Sequence, residues 1–161
     1  MVLSETGLAF IKSFESFRGS VYPDDKGIPT IGYGHRLLPG ERFPHSITEP
    51  EAEAILAKDT AKAQNTVSRV VRVAMTQGMF DALVSFEFNV GEGSLEESTL
   101  LRDLNNGQEQ AAALQLLRWD HEGAVESAGL LRRRKGEYKL WTGQDAPPDV
   151  APHSASKLPA K

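Results

Sequence analysis

The chain has 161 residues, 40% of them hydrophobic, and no cysteine; this is enough for one buried core and excludes disulfides, zinc-thiolate sites and thiol nucleophiles. A formal net charge of −4 with a pI near 5.6 lacks the basic footprint of a nucleic-acid binder, and no stretch approaches the length of a membrane span. The opening MVLSETGLAFIKSF has no basic n-region and no uninterrupted apolar run, so neither a secretory signal nor an anchor is expected.

Ser4 is the expected N-cap of a first helix in which Leu8, Phe10, Ile11 and Phe14 recur at helical spacing, placing Glu15 in the last turn. Arg18 and Gly19 then release the chain. Val21 and Tyr22, and later Thr30, Ile31 and Tyr33, read as short strands around the turn residues Pro23, Asp24, Asp25, Lys26 and Gly27. Leu38, Pro39, Gly40 and Pro44 mark a loop. Thr48 with Glu51 three residues on forms a capping box, and Pro50 fits the first turn of a long helix striped by Ala52, Ile55, Leu56, Ala63, Val67 and Val70. Met79 to Val90 is apolar around most of its circumference and predicts a helix buried in a second lobe. Ser98 caps a short helix ending at Asn106 and Gly107; Gln108 to Leu117 and Leu130 to Leu140 form the last two. From Ala146 onward the chain is polar and holds four of the nine prolines, so residues 1–145 are expected to form the domain and 146–161 a disordered tail.

Residues 13 to 35, SFESFRGSVYPDDKGIPTIGYGH, set Glu15 among Phe10, Phe14 and Phe17, while Asp24 falls in a polar turn. Two carboxyls in such different surroundings should titrate apart. Glycoside cleavage needs that asymmetry: a protonated carboxyl donates to the leaving oxygen while an ionised one serves the opposite face of the sugar.

The same run, from Glu15 through Tyr22, Asp24, Gly27 and Thr30 to IGYGH, resembles the phage-type lysozymes, the endolysin family of glycoside hydrolases. TEPEAEAILAKD, DALVSFEFNVGEGSLEESTLLRDLNNG and GLLRRRKGEYKLW look like later segments of that family in the same order, and the resemblance runs to about Gly143. It implies an α+β, mainly α, lysozyme-like fold: a small lobe with a β-hairpin and a larger helical lobe, joined by a long helix. Glu15 matches the catalytic acid, Asp24, rather than the adjacent Asp25, the second carboxylate, and Thr30 the active-site threonine. The implied reaction is inverting hydrolysis of the β-1,4 bond between N-acetylmuramic acid and N-acetylglucosamine in bacterial peptidoglycan, with no cofactor. The resemblance also pairs His35 with Asp59 as a structural ion pair. It implies a monomer held in the host cytoplasm until lysis, then reaching the cell wall through a holin-type lesion, without inserting into the membrane itself.

His35, His45, His121 and His153 lack metal-ligand spacing, so no metal is expected. Gly32 and Gly34 fit close backbone approach to a sugar better than a phosphate loop. Asn89, following a buried helix, is a candidate to hydrogen-bond an acetamido group. Tyr33 and Phe88 read as cleft wall or core, and Trp119 and Trp141 as core anchors. Arg132, Arg133, Arg134 and Lys135 form either a basic patch toward the anionic wall or a solvated helix face. Two other functions compete: a catalytically silent wall-binding or structural phage component, and a lytic transglycosylase. The latter needs no water-positioning aspartate, so Asp24 and Thr30 favour hydrolysis.

Overall fold

The structure is a computed structural model that describes residues 1–148. Helix α1 spans Glu5–Ser13, with Ser4 as N-cap accepting from the Gly7 amide at 3.0 Å. The Ser4 amide and hydroxyl both donate to the Asp81 carboxylate, and the Leu3 amide donates to Gln64 Oε1 at 2.9 Å, so the start of α1 is fastened to two later helices. A side chain on Gly7 would collide with Asp81. The helix closes on Phe14, whose amide reaches Ile11 O, and Glu15 follows with its amide on Lys12 O at 3.0 Å. Glu15 therefore lies just beyond the helix, not in its last turn, because the final turn tightens to i→i+3 bonds.

Strands β1 (Arg18–Pro23), β2 (Pro29–Gly32) and β3 (His35–Arg36) form an antiparallel sheet in sequence order. Arg18 and Gly19, expected as connector, belong to β1, whereas Tyr33 lies in the β2–β3 turn. Tyr22 faces Thr30 and Pro23 faces Pro29, but Arg18 pairs with Gly32, so the ladder is irregular between Arg18 and Tyr22. Helix α2 (Glu49–Val70) starts on the Thr48–Glu51 capping box and buries Ala52, Leu56, Ala63 and Val67, with Ile55 and Val70 half-buried.

Helix α3 (Gln77–Val90) is buried without a break from Met79 to Glu87 and runs through the middle of the helical lobe. Around it come α4 (Glu92–Glu96), α5 (Thr99–Asn105) capped by Ser98, α6 (Glu109–Gln115) ending in a 3₁₀ turn over Leu116–Arg118, and α7 (Ala128–Thr142). Two elements were not expected: α4, and a small hairpin of β4 (His121–Glu122) and β5 (Val125–Glu126). Phe80, Leu83, Phe86, Leu95, Leu100, Leu104 and Leu116 are fully buried in the core. Helices α3 and α7 cross closely at Gly78, where a Cβ would collide with the Leu140 carbonyl oxygen. Ala146 packs against this core, one residue past the expected boundary; of the expected tail, residues 149–161 lie outside the described residues.

Candidate active site

Glu15 leaves the helical lobe just before the chain enters the sheet. Phe10 and Phe14 pack with tilted rings, centroids 5.0 Å apart, and the Arg132 and Arg133 guanidiniums each lie 5.4 Å from the Phe14 ring centre. On the sheet side, Phe17 packs on Tyr33 at 5.6 Å, and the β2–β3 turn brings Gly34 against the acid. The Glu15 side chain keeps about 25% of its surface exposed, and Arg133 Nη1 stands 3.6 Å from Oε1. Burial pushes the Glu15 carboxyl above the usual glutamate range, with the positive Arg133 working against it.

Asp24 is built the other way. It heads the β1–β2 turn, where its Oδ1 accepts from the Lys26 amide at 2.8 Å and the Ile28 amide at 2.9 Å. Oδ2 accepts from Arg36 Nε at 2.8 Å. The Ile28 amide is the largest cause holding this carboxyl below the usual aspartate range; burial opposes it, and the Lys26 amide and Arg36 add to the lowering. Gly27, at φ +76°, supplies the left-handed position that lets the turn close. Asp25 is exposed and makes none of these bonds. Thr30, opposite Tyr22 in the sheet, is buried and donates its hydroxyl to Ile28 O at 2.8 Å, leaving its lone pairs as what it offers a further partner.

His35 and Asp59 are in contact, Nδ1 lying 2.9 Å from Oδ2 and 3.0 Å from Oδ1. Glu41 closes the other side, its Oε2 2.8 Å from Nε2 while also accepting the Leu38 amide. The imidazole thus ties β3 to both α2 and the 37–48 loop. Burial lowers the histidine, but Glu41 and Asp59 outweigh it and the net direction is up.

Asn89 is exposed at the end of α3, with Oδ1 accepting from Arg134 Nη2 at 2.7 Å. Tyr33, Trp119 and Trp141 pack into or against the core, as does the half-buried Phe88. The basic run divides: Arg132 and Lys135 are exposed, while Arg133 and Arg134 are 4% and 0% exposed. Sequence reasoning did not single out Glu137, Ser85, Arg36 or Glu41. The signal for the first was present, since Glu137 stands three and four residues after two arginines on a helix that also buries Tyr138 and Trp141.

Among the described residues no group of three or more histidine, aspartate or glutamate side chains could hold a metal ion, and no helix is long and apolar enough to cross a membrane. The profile of the phage lysozyme family matches residues 12–137. The chain belongs to that family. The endolysin of Bacillus phage B103 is 41% identical over 151 residues, covering 89% of this chain and 56% of the relative, so the chain spans about half that relative's length. A solved endolysin from Escherichia coli O157:H7 phage FAHEc1 superimposes with a TM-score of 0.80 at 35% identity, covering 88% of this chain and 94% of the other. The muramidase domain of SpmX from Asticaccaulis excentricus gives 0.79 at 35% identity, covering 87% and 97%. The lysozyme-like fold and the two-lobed, mainly helical architecture are those of this family.

Proposed function

We propose that this phage lysozyme family member hydrolyses the β-1,4 bond between N-acetylmuramic acid and N-acetylglucosamine in bacterial peptidoglycan, acting as an endolysin in host cell lysis. One observation carries the reading: Glu15 and Asp24 are driven in opposite directions, the first up by burial, the second down by backbone amides. A carboxyl that holds its proton to higher pH than usual, beside one that gives it up at lower pH, suits the acid and base roles that glycoside cleavage needs. Glu15 donates its proton to the glycosidic oxygen as the C1–O bond breaks. Water attacks C1 from the opposite face and gives one proton to Asp24, while its other hydrogen is held by a Thr30 lone pair. The product is inverted at C1. The fixed turn around Asp24 supports this assignment, because three donors orient the carboxylate and keep it from drifting toward the acid.

Asn89 serves the substrate through its amide hydrogens, which Arg134 leaves free by engaging Oδ1, and these suit the carbonyl of an acetamido group. The protein acts as a monomer, is kept in the host cytoplasm until lysis, and reaches the wall through a holin-type lesion. The test is digestion of purified peptidoglycan with mass spectrometry of the released fragments and proton NMR of the fresh anomer. Hydrolysis gives reducing ends initially in the α configuration, and Glu15→Gln, folded by circular dichroism, gives none. Anhydro-sugar products, β products, or turnover by Glu15→Gln would overturn the assignment.

A further inference from the structure

Behind Glu15 lies a set of buried charges that proton donation itself does not use. Ser85, Arg134 and Glu137 are all fully buried and Arg133 nearly so. Glu137 Oε1 accepts from Ser85 Oγ at 2.7 Å, from Arg134 Nη2 at 3.2 Å and from Arg133 Nε at 3.4 Å, while Oε2 stands 2.9 Å from Arg134 Nε. Arg133 Nη2 also donates to Ser85 O at 3.2 Å and to Ser85 Oγ at 3.3 Å. Three nitrogens of that guanidinium thus face two ways: Nε and Nη2 inward to Ser85 and Glu137, Nη1 outward to Glu15 at 3.6 Å.

That outward distance is too long for a hydrogen bond. A free arginine beside a half-buried carboxylate would instead close to a forked, two-bond pair, which favours the ionised acid and would leave it with no proton to give. We propose that Glu137 is a positioning residue for Glu15: with Ser85 it grips Arg133 from behind and keeps the guanidinium from closing onto the acid. The inference rests on Glu15 being the proton donor. Arg134 completes the arrangement by neutralising Glu137 from its other side, and its own guanidinium is fixed by Asn89 and by the Phe86 ring 5.0 Å away.

No other charged side chain among the described residues pairs with Glu15. Lys12 on α1 is paired with Glu53, Arg132 on α7 lies over Phe14, and on the sheet side the Gly34 backbone faces the acid. Burial raises the Glu15 carboxyl, and Arg133 is the paired charge whose position decides how far that rise is offset.

The experiment is a ¹³C NMR titration of the Glu15 carboxyl in the free protein, paired with the pH profile of kcat/KM on purified peptidoglycan. It uses wild type, Glu137→Gln, Ser85→Ala and Arg133→Gln. Releasing the grip should lower the Glu15 midpoint: by about one pH unit in Glu137→Gln and by less in Ser85→Ala, each with the alkaline limb moving the same way. Arg133→Gln should move both upward. If Glu137→Gln does not fold, Ser85→Ala decides alone, since it removes one hydroxyl and no charge. An unmoved or raised midpoint in the folded tether variants, or a lowered one in Arg133→Gln, overturns the proposal. Because the titration needs no turnover, these shifts in a protein that leaves peptidoglycan intact would sink the proposed function and spare the network.

Discussion

Gly34 stands against Glu15 so closely that a Cβ on the glycine would lie 3.4 Å from Oε2, and its backbone sits at φ +79°. The turn between β2 and β3 is thus shaped to bring bare backbone, not a side chain, up to the acid. Gly34→Ala is expected to cost about 1–2 kcal/mol for the left-handed backbone alone. The added methyl would also strip water from the carboxylate, moving the alkaline limb of activity upward. Thermal melts and a kcat/KM profile check the two effects separately.

Replacing Glu15 should reveal what its burial costs. Its folded pKa is raised, so its contribution to stability is fully present below the unfolded glutamate value near 4.5 and is lost as pH rises through the folded value. Glutamine carries no charge to bury. Glu15→Gln should therefore melt a few degrees above wild type at pH 7, the gap closing below about pH 4. A lower melting temperature at pH 7 would mean that the Arg133 contact outweighs the desolvation.

Asp24 and Asp25 provide an internal control. Asp24→Asn should reduce peptidoglycan cleavage by ~10²–10⁴-fold, whereas Asp25→Asn should stay close to wild type. Asparagine keeps an oxygen for the Lys26 and Ile28 amides, so the turn should survive, and matching circular dichroism spectra would show that it has. Equal losses in the two variants would place the second carboxylate one residue later.

The His35 group predicts a stability bonus with two edges. The raised histidine contributes fully below its unfolded value near 6.5 and loses that contribution as pH rises through its folded value. Glu41, held down by His35 first and the Leu38 amide next, contributes above its unfolded value near 4.5 and loses it as pH falls through its lowered value. Asp59 is raised, chiefly by burial, so its own protonation does not set the acid edge. His35→Asn should cost about 1–2 kcal/mol near pH 5.5 and clearly less at pH 8.5, as read from denaturant melts at the two pH values.

The long, strongly patterned elements were legible in the residues: the Thr48–Glu51 box fixed the start of α2, and the apolar circumference of Met79–Val90 placed α3 at the centre. Helix α4, five residues long, is shorter than the window in which a helical period can be seen. The β4–β5 hairpin offers only Val125 as a strand former, and that side chain is exposed. For the site, the contrast between Glu15 and Asp24 could be read from their neighbours, but the burial of Arg133 and Arg134 could not. A run of basic residues looks solvated until the partner helix is known, and it is Ser85, on α3, that draws Arg133 inward. The resting place of Glu15 beyond α1 depended on one tightened turn, which propensity does not resolve.

The fastening of Ser4 to Asp81, and of Arg133 beside Glu15, has a consequence for how the molecule is made. Synthesis delivers the acid-bearing segment long before α7. While the ribosome is still working through the middle of the chain, α1 has neither the carboxylate that anchors its first turn nor the arginines that stack on Phe14. Glu15 is then an ordinary hydrated glutamate. Translation that stops short of α7 leaves a fragment with the whole 13–35 run but without the arginine and the packing that surround Glu15 in the finished fold, so the setting of this carboxyl is acquired only when α7 docks.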